Sequence, residues 1–360
     1  MLPPIKLLTF GTALAFSVIV LPAPDKLVLV AGGGAGGDGS PATKAKLEAP
    51  FAVAFDRASN LYFAEMTGNR IRKIDVNGVA TTVAGTGQKG DSGDGGTAVK
   101  AELNGPHHLA VGPDGDVYIA DTWNNRVRRI DAKTGKILTV AGTGRKGFSG
   151  DGGSAVKAEF GGVYCIAFDA KGEKFYLADL DNRRIRAVDL RTGIVTTVAG
   201  NGQKGVPADG SVAVNAPLVD PRAVAVDPKG NIYILERSGH ALRAVDTSGK
   251  VRTLVGTGKP GHTGDGGDGR EATLNGPKHL CIDLEGNVLI ADTENHAIRK
   301  YQIRDGKIVA VAGTGKKGDA GLAGPPEQAE LNQPHGVYMH PSGALYISDS
   351  SNHRILKLER

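Results

Sequence analysis

One unit of about 57 residues recurs six times along the chain. The run Tyr118 to Asp131, Tyr-Ile-Ala-Asp-Thr-Trp-Asn-Asn-Arg-Val-Arg-Arg-Ile-Asp, is echoed at Tyr62 to Asp75, Tyr176 to Asp189, Tyr233 to Asp246, Leu289 to Lys300 and Tyr346 to Leu358. An acidic residue marks each copy, at Glu65, Asp121, Asp179, Glu236, Asp292 and Asp349, so the spacings are 56, 58, 57, 56 and 57 residues. Repetition at this period implies one supersecondary unit that buries its faces only against its neighbours.

Within a unit, four alternating or apolar runs are separated by turn residues, the pattern of a small antiparallel sheet. In the second copy the runs are His108 to Val111, Asp116 to Ala120, Arg126 to Asp131 and Lys136 to Ala141, with turns at Pro113-Asp-Gly115 and Thr134-Gly135. Four strands in each of six units predict an all-β, six-bladed β-propeller of four-stranded antiparallel blades over 25–360. Gly at 53 of 360 residues and aromatics at only 5% fit many short strands better than long helices.

The fourth-strand signal Thr-Val-Ala-Gly or a close variant ends at Gly85, Gly142, Gly200, Gly256 and Gly313, and the chain stops before a sixth. The missing copy stands at the start, as Leu29-Val-Ala-Gly32, so the N-terminal strand is expected to complete the last blade and close the ring. The same reasoning disposes of a rival reading. Gly32, Gly34 and Gly37 satisfy a dinucleotide-binding fingerprint, but no helix can follow within Ala42 to Pro50, and a further strand comes next.

The repeat elements Ala-Asp-x-x-Asn-x-Arg-Ile-Arg and Pro-x-x-Leu-Ala-Val-x-Pro-x-Gly, as at Ala120 to Arg128 and Pro106 to Gly115, resemble NHL repeats over nearly all of residues 27 to 360. The resemblance implies the propeller fold. For function it implies a wide range, from protein- and RNA-binding modules to gluconolactonase-like hydrolases and an amidating lyase.

Residues 1–24 form a segment of another kind. Lys6 supplies a short positive region, Leu7 to Leu21 an apolar run, and Leu21-Pro-Ala-Pro24 a loose cleavage site, which together read as an export signal peptide; retention as an uncleaved anchor is the alternative. A periplasmic or secreted protein follows, with no membrane span beyond that segment. The net charge of +5 comes from 43 basic and 38 acidic residues interspersed with one another. Without a basic block or aromatic platform, nucleic acid is excluded as a partner, and a monomer is expected.

The repeats separate scaffold from site: what builds a blade should recur in every blade. By that test the six acids are scaffold, expected to pair with Arg70, Arg126, Arg184 and Arg354, with Arg243 and Arg299 not substituting where Ala241 and Ala297 break the series. The Gly-Asp-Gly loops carrying Asp38, Asp94, Asp151, Asp209 and Asp265 are tight turns with each Asp bonded to its own backbone, since calcium needs more carboxylates. Lys89, Lys146, Lys204, Lys259 and Lys317 decorate these loops as a basic rim. Asp114, Asp169, Asp227 and Asp283 are turn residues.

The symmetry breaks where the innermost strands begin, at the mouth of the central channel. One residue into each strand stand Phe51, His107, Tyr164, Arg222, Lys278 and His335; one further stand Ala52, His108, Cys165, Ala223, His279 and Gly336. These predict a ligand site holding His107, Lys278 and His335. His108 and His279, with His107 or His335, are candidate ligands for zinc or another divalent metal, and Tyr164 and Arg222 candidate acid-base and oxyanion groups beside it. That second arrangement resembles the amidating lyase, although the histidines here lie at two different offsets. No mouth position is acidic, against a gluconolactonase, and no Gly-x-Ser-x-Gly elbow supports a serine hydrolase. Cys165 and Cys281, in non-adjacent blades, are expected to be buried free thiols. The single tryptophan, Trp123, is a candidate interface anchor for an extracytoplasmic protein, peptide or glycan, with local packing as the equal alternative. The leading expectation is a binding module, with a metal-dependent lyase or hydrolase as the alternative.

Overall fold

The computed structural model describes residues 25–359; the signal-segment reading of residues 1–24 lies outside them. Six antiparallel sheets stand around a central axis, each contacting its neighbours through its innermost strand. Blade one comprises Pro50–Phe55, Leu61–Glu65, Arg70–Ile74 and Val79–Ala84, with a two-residue fifth strand, Ser40–Pro41, added at its edge. Blade two comprises Pro106–Val111, Val117–Asp121, Arg126–Ile130 and Ile137–Ala141, within two residues of the strands expected from sequence. Blades three to five repeat the order from Val163, Pro221 and His279. Blade six has only three strands of its own, from Gly336 to Glu359, and Lys26–Gly32 pairs with Arg354–Glu359 as its fourth. The ring therefore closes through the N-terminal strand as expected from the sequence, and that strand forms the outer edge of blade six.

The segment joining one blade to the next carries a buried pair two residues apart: Ala101 and Leu103, Ala158 and Phe160, Ala272 and Leu274, Ala329 and Leu331 are all 0% exposed. Leu103 lies in one apolar cluster with Ile71 and Ile119, and Phe160 in one with Val127 and Leu177, so each of these residues seals a junction between blades. Burial of one such side chain contributes about 2 to 3 kcal/mol.

The six marker acids are all 0% exposed and, as scaffold, hold the frame. Each accepts a backbone N–H from the incoming segment: Asn104 donates to Asp121, Gly161 to Asp179, Asn275 to Asp292 and Asn332 to Asp349. Arg70, Arg126 and Arg354 pair with their acids at 2.8, 3.2 and 2.7 Å, as expected. The expectation fails for Arg184, which turns to the carbonyls of Asn182 and Asn201 and stacks 3.7 Å over Phe148. Asp179 is served by Arg186 at 3.3 Å. Arg243 and Arg299 do substitute, at 2.8 and 3.3 Å from Glu236 and Asp292.

Arg186 and Arg299 belong to a second ring that sequence reasoning passed over. Arg72, Arg128, Arg186 and Arg299 are 0 to 2% exposed, and each reaches out to a Gly-Asp-Gly loop, at Asp38, Asp94, Asp151 and Asp265. The loop aspartates are therefore structural: Asp38, Asp94, Asp151 and Asp265 bond to a buried guanidinium rather than to their own backbone, whereas Asp209 pairs with the exposed Arg270 and accepts from the Thr253 N–H. A buried cation is tolerable only when paired and hydrogen-bonded in this way. Among the turn residues, Asp227 accepts from the N–H groups of Lys229 and Asn231, and Asp283 from Glu285 and Asn287, as read from sequence.

Candidate functional site at the channel mouth

A β-bulge interrupts the pairing at the start of the innermost strand in blades one to four, between Pro50 and Val53, Pro106 and His108, Val163 and Ile166, and Pro221 and Ala223. A bulge re-aims side chains that would otherwise alternate between faces. Consecutive residues, such as His107 and His108, thus both point inward, forming two layers along the axis.

The outer layer packs into a nearly continuous ring. Phe51 stacks on His335 at 3.9 Å and meets His107 edge-on at 5.1 Å; His107 meets Tyr164 at 4.8 Å, and the Arg222 guanidinium lies 4.1 Å over the Tyr164 ring. Lys278 Nζ sits 3.1 Å from His335 Nε2 and 2.9 Å from Glu294. Phe51, His107, Arg222 and His335 are no more than 9% exposed, so they fill the mouth rather than line an open funnel. Only Arg222 and Lys278, two cations, lack a ring contact with each other. Glu294 was missed from sequence because it arrives from a loop; its place opposite Lys278 supplies the carboxylate that the mouth positions themselves lack.

Burial and the Arg222 and Lys278 charges hold His107 and His335 well below the ordinary imidazole value, so both rings are neutral at pH 7. Burial also brings Arg222 down to about 10, still cationic at neutral pH. His107 Nδ1 faces the Gly105 carbonyl at 2.7 Å and His335 Nδ1 the Gln333 carbonyl at 2.8 Å. These two histidines are packing and hydrogen-bonding members of the ring and do not join a metal set.

The inner layer brings His108 and His279 together. They come from blades two and five, opposite one another, and meet across the axis with Nε2 atoms 2.7 Å apart and ring centroids 4.6 Å apart. Cys165 completes a group of three whose ligand atoms lie within 4.8 Å of one another. Cys165 is buried and free, as expected, and lies against the histidine pair. Both cysteines are free, with thiols pushed up to about 12 by burial, and Cys281 is only partly buried.

Proton accounting limits what this crossbar can bind. His108 Nδ1 accepts from the Ile166 N–H at 3.4 Å and His279 Nδ1 from the Val337 N–H at 3.3 Å. If both rings accept at Nδ1, both carry hydrogen at Nε2, and two N–H groups cannot face each other at 2.7 Å. One ring must change tautomer so that one proton sits between the Nε2 atoms. A metal held by both Nε2 atoms would require Nδ1–H on both rings, and both backbone N–H groups would lose their acceptor. Burial first and Arg222 second bring His279 down to about 4, so the pair is neutral at pH 7. Below the crossbar the inner strands enclose a cavity of about 310 Å³ walled by residues such as Val111, Phe168, Val226 and Met339.

Trp123 is 48% exposed on the mouth face, with its ring packed over Gly105 and edge-on to His107 at 5.4 Å. It is half anchored and half free, which unites the two roles weighed for it.

The NHL repeat family matches residues 103–130 and 331–358, and the Teneurin NHL domain matches residues 195–260. The chain is an NHL-repeat β-propeller. Among curated relatives it is 28% identical over 319 residues to Protein SUPPRESSOR OF QUENCHING 1, chloroplastic, of Arabidopsis thaliana, covering 85% of this chain and 30% of that protein. NHL repeat-containing protein 2 of Bos taurus is 27% identical over 305 residues, 74% of this chain and 40% of that protein. The NHL-repeat chain therefore spans well under half the length of these relatives. Of solved structures, an auxiliary nutrient binding protein from Bacteroides ovatus superposes with a TM-score of 0.68 at 18% identity, covering 93% of this chain and 76% of that one. An inactive virginiamycin B lyase from Staphylococcus aureus superposes with 0.53 at 14%, covering 86% and 80%. At these identities the likenesses speak for the fold alone.

Proposed function

We propose that this NHL propeller is an exported, non-catalytic binding module whose channel-mouth face holds an extracytoplasmic protein, peptide or glycan. One observation carries the reading: the departures from six-fold repetition gather on that face, where Trp123, His107, Tyr164, Arg222, Lys278 and His335 lie in mutual contact or one ring away. The Bacteroides ovatus neighbour is an auxiliary nutrient binding protein, which supports a ligand-holding role. Thermal-shift and Trp123 fluorescence titrations against glycan and peptide panels test it. A ligand whose binding is weakened by Trp123→Ala or Lys278→Ala, with no turnover of that ligand, is expected. Ligands indifferent to both changes would sink the reading.

The convergence of His108, His279 and Cys165 favours one second reading, a metal-dependent lyase or hydrolase. Two imidazoles and a thiolate are a donor set for zinc, which would supply Lewis acidity; Tyr164 and Arg222 would then move a proton and hold an oxyanion. The backbone N–H groups aimed at both Nδ1 atoms weigh against it. Elemental mass spectrometry of the dialysed protein separates the readings. Stoichiometric zinc that disappears in the His108→Ala, His279→Ala double variant would favour the enzyme.

A further inference from the structure

Five of the six blade junctions carry the same latch on the mouth face. The residue that ends the turn between the second and third strands adopts a left-handed conformation, and its side chain accepts a backbone N–H from the next blade. Asn69 accepts from Gly105, Asn125 from Gly162, His240 from Gly276, His296 from Gln333 and His353 from Ala49, at 2.9 to 3.1 Å. The donating residue also has positive φ in all five.

The junction of blades three and four departs on both sides. Arg183 holds the left-handed turn, with φ 50°, but has donors only, and the residue at the donating position, Asp220, is not in the left-handed region. Asp220 turns instead to its own blade, pairing with Arg237 at 3.0 Å and accepting from the Ser238 hydroxyl. A cleft of about 390 Å³ lies here, lined among others by Lys146, Arg183, Lys204, Asp220 and Arg237.

The charges at this junction do not cancel. Lys146 is paired with Asp181, Arg237 with Asp220 and Lys278 with Glu294. Arg183 and Arg222 have no ion pair and no side-chain hydrogen bond among the described residues, and the Nε of each is buried without a partner. Arg222 is 5% exposed and does not itself line the cleft; it follows Asp220 by two residues and feels the charges of Asp220 and Arg237, so a nearly buried guanidinium without an ion pair stands behind the cleft wall. Such a group is costly unless something supplies its counter-charge.

We infer that the junction of blades three and four is a carboxylate-binding site, with Arg222 as its inner anchor and Arg183 at its rim. The inference rests on the binding-module reading and names the chemistry of its ligand. A planar carboxylate matches the edge of a guanidinium whose face is already covered by Tyr164, accepting two parallel N–H bonds. One negative charge also suffices for Arg222, because Lys278 and Arg237 are already neutralised. The carboxylate has two sources, a small organic acid or an acidic peptide.

Fluorescence of Trp123 and calorimetry on the purified chain test this with succinate, tetraglutamate, tetraglutamine and inorganic phosphate as probes. A saturable response to a carboxylate probe is expected, weakened at least about tenfold by Arg222→Gln, since the charge-assisted hydrogen bonds to the carboxylate are lost. Comparable binding of succinate assigns a small acid; binding of tetraglutamate alone assigns a peptide. Arg183→Asn, which installs the residue found in blades one and two, should weaken binding severalfold without loss of folding, and it serves if Arg222→Gln does not fold. Phosphate bound more tightly than either carboxylate, no saturable binding of either, or affinity unchanged in both variants would overturn the inference. Tetraglutamine or a neutral glycan bound at the mouth in preference to carboxylates would overturn it while leaving the binding-module reading standing.

Discussion

The acid-arginine frame and the channel mouth are built on the same strand ends, yet they treat charge in opposite ways. In the frame, Asp179 is met by Arg186, two asparagine contacts and a backbone N–H, so every buried charge has a partner. At the mouth, Arg222 is equally buried and has an aromatic face but no anion. Repeated solutions are complete within the chain, whereas the unrepeated one awaits a group from outside. The blade junctions show the same division, five latched by an Asn or His acceptor and one opened by Arg183.

The largest effect should come from breaking the frame. Arg186→Met leaves Asp179 and Asp151 without their shared cation and should cost about 3 to 5 kcal/mol in denaturant unfolding. Arg184→Ala, two residues away but turned from the acid, should cost only about 1 kcal/mol. Equal losses at the two positions would show that the division of labour between these arginines is misassigned.

The next contrast is in pH dependence. Burial raises Asp179 and Asp292 to about 6, so their contribution is fully present below the ordinary aspartate value near 4 and is lost as pH rises through about 6. His279, lowered to about 4, behaves oppositely: its contribution is present above about 6.5 and lost as pH falls through 4. Between pH 4 and 6, Asp292→Asn should therefore make stability rise more steeply with pH, and His279→Gln should make it rise less. Denaturant midpoints measured across that window read both slopes, and slopes changed in the same direction would contradict the assignment.

The smallest effect separates the junctions. Asn125→Ala removes a latch and should cost about 1 kcal/mol, whereas Arg183→Ala removes none and should stay within about 0.5 kcal/mol. A comparable loss at Arg183 would mean that the open junction is held by its arginine after all.

Much of the frame was legible because an omission shows against repetition. The absent sixth copy of Thr-Val-Ala-Gly foretold that Lys26–Gly32 would pair with Arg354–Glu359. The arginine assignments were only half legible: Arg126 and Arg128 both face inward on alternate positions, and sequence does not say which one reaches the acid. Arg183 was readable in principle, since its column holds Asn69, Asn125, His240, His296 and His353, five acceptors against one donor. The Glu294 partner of Lys278 was hidden by a separation of sixteen positions along the chain.

By itself the sequence determined six blades, their strands, the closure of the ring and the face on which symmetry fails, because period, alternation and turn chemistry are local properties of the chain. Tertiary structure alone decided that His108 and His279 meet across the axis, that His107 and His335 do not join them, and that Arg222 is left without a counter-charge. Those outcomes depend on bulges that aim consecutive side chains inward in blades one to four and on the angle between blades far apart in sequence, and no spacing along the chain encodes either.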